Sequence, residues 1–176
     1  MVRVTRNFQS EAPLDSRVSE ALLASYADGW ADRRKISQAS AKARNLFHQS
    51  RESMAYYLGV RADNLEFTGE PRLAFHILIS GFQRERKFEP RIICDATTSG
   101  PYLPLPECAG AIFDSKSWGG PAGIAAFAIN DRPHWRNPLP HVEPVAAPHS
   151  YSLPLLIASA VALEYWIREK SEYNKK

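Results

Sequence analysis

The sequence predicts an α/β protein whose mixed sheet of about four strands has helices on both faces. Helical and strand patterns follow one another in the order helix, helix, strand, helix, three strands and helix, which is typical of this class. The strand-like runs are apolar enough to be covered on both sides. The chain has 176 residues and is 44% hydrophobic, enough for one domain with its own core. We therefore expect residues 1–176 to form a single domain.

Two helices are predicted before the first strand. The first, over residues 17–27, follows Asp15, whose side chain can accept a hydrogen bond from the first helical turn, and it ends at Gly29. The second, over residues 37–58, carries apolar side chains at helical spacing and stops at Gly59.

Two further helices are predicted to begin at or near a proline, which is tolerated in the first helical turn. They span residues 71–82 and 153–170. Between them, residues 131–149 contain five prolines and predict an extended loop, because proline donates no backbone hydrogen bond and breaks regular elements.

Four short apolar runs predict the strands of the sheet. They cover residues 64–67, 91–94, 109–113 and 123–129. The first alternates apolar and polar side chains, as a strand does when only one of its faces is buried.

The composition does not favour a nucleic-acid-binding, membrane or secreted protein. The net charge of +3 does not by itself argue for a nucleic-acid or membrane partner. The longest apolar run, residues 153–163, is too short to cross a bilayer, and residues 1–15 lack the apolar core of a secretory signal. Two cysteines, Cys94 and Cys108, do not make a disulfide framework. We therefore expect a cytoplasmic protein without nucleic-acid or membrane partners.

No metal site is predicted either. His134, His141 and His149 lie at spacings that suit no compact zinc pattern, and the segment around them is stiffened by proline. No glycine-rich nucleotide loop of a known pattern is present in the sequence.

An aspartate and a lysine each follow a predicted buried strand. Asp95 comes directly after the run 91–94, and Lys116 lies three residues after the run 109–113. A pyridoxal phosphate (PLP) site needs a lysine for the Schiff base and a carboxylate to pair with the pyridinium nitrogen. A purely structural alternative stays open: since a buried carboxylate needs a cation, Asp95 and Lys116 could pair with each other.

Four segments resemble cysteine desulfurases, which are class V aminotransferases of PLP fold type I. They are PLDSRV (13–18), LGVRADNLEFT (58–68), ICDATTSG (93–100) and FDSKSWGGPAG (113–123), and they occur in the order of the family. The resemblance implies a trimmed fold-type-I large domain in which the strand over residues 123–129 is antiparallel to its neighbours.

The resemblance also implies a set of site residues. Lys116 matches the lysine that forms the Schiff base with PLP, and it is the catalytic candidate. The residues implied to bind the cofactor are Asp95, Thr98, Ser115, Arg72 and Ser150.

The chain departs from the family at its phosphate-binding turn and before the lysine. A Gly-Thr pair of the family is Pro71-Arg72 here, where proline has no donor but the guanidinium can bind a phosphate through two hydrogen bonds. The serine and histidine expected just before the lysine are Phe113 and Ser115, of which only the latter can donate. Ser150 is the nearest equivalent of a phosphate ligand that the family borrows from the partner subunit.

Larger parts of the family also have no counterpart in this sequence. They are a central block at the junction near residues 81–89, and the C-terminal small domain with the sulfur-accepting cysteine. We therefore expect a PLP-binding, cysteine desulfurase-like protein with weak or absent catalysis, in a homodimer or a hetero-complex with a related protein. The alternative is a non-catalytic pseudoenzyme that works through protein–protein contact.

Overall fold

The computed structural model describes residues 13–28, 33, 35–82, 91–93, 107–138 and 151–173. These residues form four long helices and four strands. The helices are α1 (Ser16–Ala27), α2 (Gln38–Leu58), α3 (Pro71–Phe82) and α4 (Leu153–Tyr173), and the strands are β1 (Leu65–Thr68), β2 (Ile92–Ile93), β3 (Gly110–Asp114) and β4 (Ala125–Ile129). The predicted α/β class is confirmed, and the predicted elements agree with the observed bounds to within a few residues.

The strands form one mixed sheet in the order β1-β4-β3-β2. Strand β4 runs antiparallel to both of its neighbours, as predicted, whereas β2 and β3 are parallel. Thr68 at the end of β1 and Asp114 at the end of β3 both pair with Ala125. The carboxyl ends of β1 and β3 therefore lie at the same edge of the sheet, about 10 Å apart, which is two strand spacings.

One face of the sheet is covered by α3. The buried residues Ala74, Ile77 and Leu78 of this helix join a cluster with Ile112 and Phe127 of the two central strands. Gly110 allows the close approach of α3, because a Cβ there would lie 2.7 Å from a methyl carbon of Leu78.

The opposite face is covered by α1, α2 and α4. Here Phe113 and Ala126 of the sheet share a cluster with Leu58 of α2 and with Leu156 and Leu163 of α4. Consecutive strand residues point to opposite faces of a sheet. Strand β3 therefore contributes Phe113 to this cluster and Ile112 to the cluster beneath α3. The described helices thus cover both faces of the sheet.

Helix ends follow the sequence signals closely. The Asp15 carboxylate accepts a hydrogen bond from the Arg17 backbone N–H at 2.9 Å and caps α1. Ser37 caps α2 by accepting from the Ser40 N–H at 3.1 Å. Gly59 ends α2 in the left-handed region with φ 69°, which favours glycine. Gly29, predicted to end α1, lies outside the described residues.

An arginine joins the start of α1 to the end of α4. The Arg17 guanidinium binds both oxygens of Asp15 and donates to Glu169 Oε1 at 3.0 Å, and it stacks 4.0 Å over the ring centre of Tyr165. These hydrogen bonds lower the pKa of Asp15 to about 2. The Asp15 carboxylate therefore stays charged well into the acid range, and it keeps its pairing with Arg17 there.

The proline-rich segment 131–149 is described only as far as residue 138. Its first part is a single helical turn, Arg132–His134, rather than the extended loop expected. Pro133 fits the first positions of such a turn, and Arg132 stabilises it by donating to Glu66 Oε1 at 3.0 Å.

Trp135, which follows this turn, is packed against a glycine of α3. The Arg136 N–H donates to the Gly81 carbonyl at 3.1 Å, which holds the segment against the helix. A Cβ at Gly81 would lie only 2.0 Å from the Trp135 indole nitrogen. The Trp135 indole thus occupies the space that a side chain at position 81 would need.

Gly81→Ala should therefore lower the free energy of unfolding by about 1–3 kcal/mol, because the new methyl group overlaps the indole of Trp135. In a Trp135→Ala background the same change should be neutral or stabilising by up to about 1 kcal/mol, since alanine favours helix over glycine. Urea unfolding followed by circular dichroism measures both. Equal losses in the two backgrounds would contradict the packing described here.

Candidate functional site

Two turns lie at the edge of the sheet where β1 and β3 end. After β1 the chain turns through Gly69 and Glu70 into the start of α3. After β3 it forms a one-turn helix, Ser115–Trp118, that carries Lys116. Open α/β sheets bind ligands outside the carboxyl ends of their strands, so this edge is the place to look for a site.

Lys116 is held by the last residue of β3. The side chain of Lys116 is 35% exposed, and its Nζ lies 3.5 Å from Asp114 Oδ2. The other carboxylate oxygen of Asp114 accepts the Lys116 backbone N–H at 3.1 Å. One carboxylate thus contacts both the backbone and the amine of the same lysine.

The one-turn helix Ser115–Trp118 is held against α4 by hydrogen bonds. Ser115 is fully buried, and its hydroxyl donates to the Ser159 hydroxyl at 2.8 Å. The Trp118 indole N–H donates to the Ser159 carbonyl at 3.1 Å. Gly120 closes the turn by donating its N–H to the Ser115 carbonyl, and a Cβ at Gly120 would lie 2.2 Å from Ser115 Oγ. The position of Lys116 therefore depends on a glycine and a buried pair of hydroxyl groups.

Ser115 was predicted to bind the cofactor, but its hydroxyl faces α4 in this structure. To reach a ligand, the hydroxyl would have to leave Ser159. Its role toward a cofactor stays a prediction.

Arg72 lies exposed in the first turn of α3. The residue before it, Pro71, removes one of the backbone donors that a helix start normally offers. The hydroxyl of Thr68 donates to the Glu70 carbonyl at 2.8 Å and closes the turn. An anion at this helix start would therefore depend mainly on the guanidinium of Arg72.

The structure brings two of the predicted site residues, Lys116 and Arg72, to the same edge of the sheet. Asp95, Thr98 and Ser150 lie outside the described residues. Asp95 stands two positions beyond Ile93, the last residue of β2 in the described range. The predicted convergence of Asp95 and Lys116 is therefore not tested.

Sequence reasoning missed two residues that contact the lysine turn. Asp114 precedes Lys116 by two positions, so a carboxylate at a strand end was a signal that could have been used. Ser159 gave no such signal, because its hydroxyl partner is 44 residues away in sequence.

Within the described ranges, no three histidine, cysteine or acidic side chains are placed to hold a metal ion. No helix among the described residues has the length and apolar character to cross a membrane.

Neither a protein-family model nor a curated protein sequence matches this chain. Solved structures do match it. A NifS-like protein superposes with a TM-score of 0.75 at 13% identity, over 95% of this chain and 70% of the other. DndA from Streptomyces lividans gives a TM-score of 0.64 at 12% identity, over 98% of this chain and 73% of the other.

The apo structure of a cysteine desulfurase from Thermococcus onnurineus NA1 also matches, with a TM-score of 0.68 at 12% identity. It covers 91% of this chain and 66% of that protein. The chain therefore has the fold of NifS-like cysteine desulfurases, as the resemblance predicted. At these identities the similarity extends to the fold alone.

The hydroxyl pair beneath Lys116 can be tested by a double-mutant cycle. Ser159→Ala should cost about 1–3 kcal/mol of unfolding free energy, because the buried Ser115 hydroxyl loses its acceptor. Ser115→Ala/Ser159→Ala should cost less than the sum of the two single changes, since the pair is then removed together. Chemical denaturation measures all three. Strict additivity would show that the hydroxyl groups are not coupled.

Proposed function

We propose that this chain is a class V aminotransferase-like, cysteine desulfurase-like protein that binds PLP through Lys116 and has weak or absent catalysis. The observation that carries the proposal is the placement of Lys116. Its amine is partly exposed directly after β3, at the ligand-binding edge of a sheet with the NifS-like fold.

The donor chemistry of the described residues fits PLP at two points. The Lys116 amine can bind an aldehyde covalently, and the Arg72 guanidinium can bind a phosphate. The hydroxyl groups of Thr68 and Ser115 already donate hydrogen bonds to Glu70 and Ser159, so in this arrangement they contribute little to binding PLP. PLP, when bound, supplies an electron sink for carbanion chemistry.

The remaining ligands of the proposed site come from the resemblance. Asp95 would face the pyridinium nitrogen with a counter-charge, and Thr98 would bind near it. Ser150 would reach the phosphate across a dimer.

Two observations support weak rather than efficient catalysis. The Lys116 side chain is 35% exposed, so it is partly in contact with water, which weakens electrostatic interactions at its amine. Cys108 precedes the amino end of β3, at the edge opposite Lys116, so it is badly placed to accept sulfur. Burial also raises the pKa of the Cys108 thiol, which disfavours the nucleophilic thiolate.

Addition of PLP should give a new absorption band in the near-ultraviolet or visible range, and borohydride should then fix a label on Lys116. Lys116→Ala should abolish the label, and Asp95→Asn should weaken binding by removing the counter-charge. Arg72→Ala should weaken it about ten-fold, since a charged hydrogen bond to the phosphate is lost. Lys42→Ala is the control, because this lysine is also ion-paired but lies on α2.

Titration by absorbance and peptide mapping by mass spectrometry supply the two readouts. A protein that stays colourless in excess PLP, with no label on Lys116, would refute the binding proposal. Robust sulfide release from cysteine would refute the weak catalysis.

The second candidate is a non-catalytic module that works in a homodimer or with a related protein. It is favoured by exposed apolar side chains, among them Leu23 and Tyr26 of α1 and Ile36, which is fully exposed before α2. A separate, mainly apolar groove of about 290 Å³ lies between α1, α2 and α4, and α1 lines it with Ala21 and Ala24. Exposed apolar side chains and apolar grooves are both features of protein–protein contacts. From composition alone, we place the protein in the cytoplasm without nucleic-acid or membrane partners.

If this surface forms the contact, Leu23→Glu and Ile36→Glu should each weaken self-association by about ten-fold or more, because a charge would be buried in the interface. Phe75→Glu, on α3 at the opposite face of the sheet, is the matched control and should have little effect. Sedimentation over a concentration series gives the result. A wild-type monomer at every concentration, with no partner recovered from cells, would contradict the assembly.

A further inference from the structure

Asp114 makes a contact to Lys116 that the resemblance does not assign. Its carboxylate accepts the Lys116 N–H through Oδ1 at 3.1 Å and lies 3.5 Å from the amine through Oδ2. The side chain of Asp114 is only 22% exposed, so the surrounding structure restricts it. The carboxylate therefore has a fixed position from which it faces the amine.

A second ion pair of the chain shows what is particular about this one. Lys42 Nζ lies 2.7 Å from Asp28 Oδ2, with both side chains more than half exposed and on different helices. Asp114 and Lys116 instead belong to one turn, and the backbone hydrogen bond holds the acid and the lysine in register. The amine of Lys116 is thus positioned by its own turn.

The charge of Asp114 bears on the kind of reaction that Lys116 can undergo. A protonated amine and an aldehyde give a protonated imine and one water: the C–N bond forms, the carbonyl oxygen leaves in the water, and the positive charge stays on nitrogen. In acylation by an anhydride, the new C–N bond forms while the C–O bond to the leaving carboxylate breaks. The ammonium loses two protons, one to the carboxylate and one to water, and the amide that remains is neutral. A fixed carboxylate stabilises the charged nitrogen in the first product and has nothing to pair with in the second.

We propose that Asp114 is a positioning and specificity-determining residue that makes Lys116 selective for carbonyl compounds over acylating agents. This proposal deepens the proposed function. It rests on the proposed function only where the carbonyl compound is PLP. Any small aldehyde should show the same selectivity.

The test compares two kinds of labelling on the full chain. Limiting acetic anhydride reports acylation, and formaldehyde followed by borohydride reports imine formation, each quantified for every lysine by mass spectrometry. In Asp114→Asn, acetylation of Lys116 should rise on the order of two- to five-fold, the range of a partly exposed ion pair. Labelling by formaldehyde should change by less than about two-fold, because the ammonium and the protonated imine lose the same partner.

Matched variants separate charge from structure. Asp114→Glu keeps the charge and should keep the wild-type ratio of the two labels, whereas Asp28→Asn removes the more exposed pair and should leave both labels of Lys116 unchanged. Circular dichroism checks that each variant is folded. An unchanged ratio of the two labels at Lys116 in Asp114→Asn would overturn the proposal, whether neither label changes or both change equally.

A parallel arm with PLP in place of formaldehyde separates this proposal from the proposed function. If formaldehyde labels Lys116 with the expected selectivity but PLP does not label it, PLP binding fails and the role of Asp114 stands. If PLP labels Lys116 but Asp114→Asn leaves the ratio of the two labels unchanged, PLP binding stands and the role of Asp114 fails.

Discussion

The antiparallel pairing of β4 with β1 on one side and β3 on the other is the constraint on which the described structure depends. All five residues of β4 are buried. Phe127 and Ile129 pack on the α3 face of the sheet, and Ala126 and Ala128 on the opposite face. The same pairing sets Thr68 and Asp114 opposite one residue, Ala125. The turn that carries Lys116 and the turn that leads to Arg72 thereby share one edge of the sheet.

Much of this arrangement could be predicted from local sequence signals. Asp15, Ser37 and Gly59 begin or end helices through contacts within a few residues, and such contacts are visible in a linear pattern. The antiparallel orientation of β4 is not a local property, and it was implied by the resemblance to a family. The helical turn at Arg132–His134 was missed, because Arg132 stabilises it through Glu66, a residue far away in sequence.

The candidate site divides in the same way. Lys116 was found because it follows a predicted buried strand, and Arg72 because the resemblance matches it to the phosphate-binding turn of a family. The hydrogen bonds that hold Lys116 in place were not predicted, since Ser159 belongs to the last helix and offers only a small polar group on a largely buried surface. The sequence therefore located the candidate lysine better than the residues that hold its turn in place.

The position of α4 has a consequence for synthesis of the chain. This last helix covers the sheet face that carries Phe113, packs against α1 and α2, and supplies the acceptor for Ser115. A nascent chain that has just completed β4 already contains α1 and α2 but still lacks α4. The part of this apolar face that α4 covers therefore stays open to water and to other chains until residues 153–173 have left the ribosome. Over that interval the protein is most exposed to aggregation, and a chaperone would have most reason to bind it.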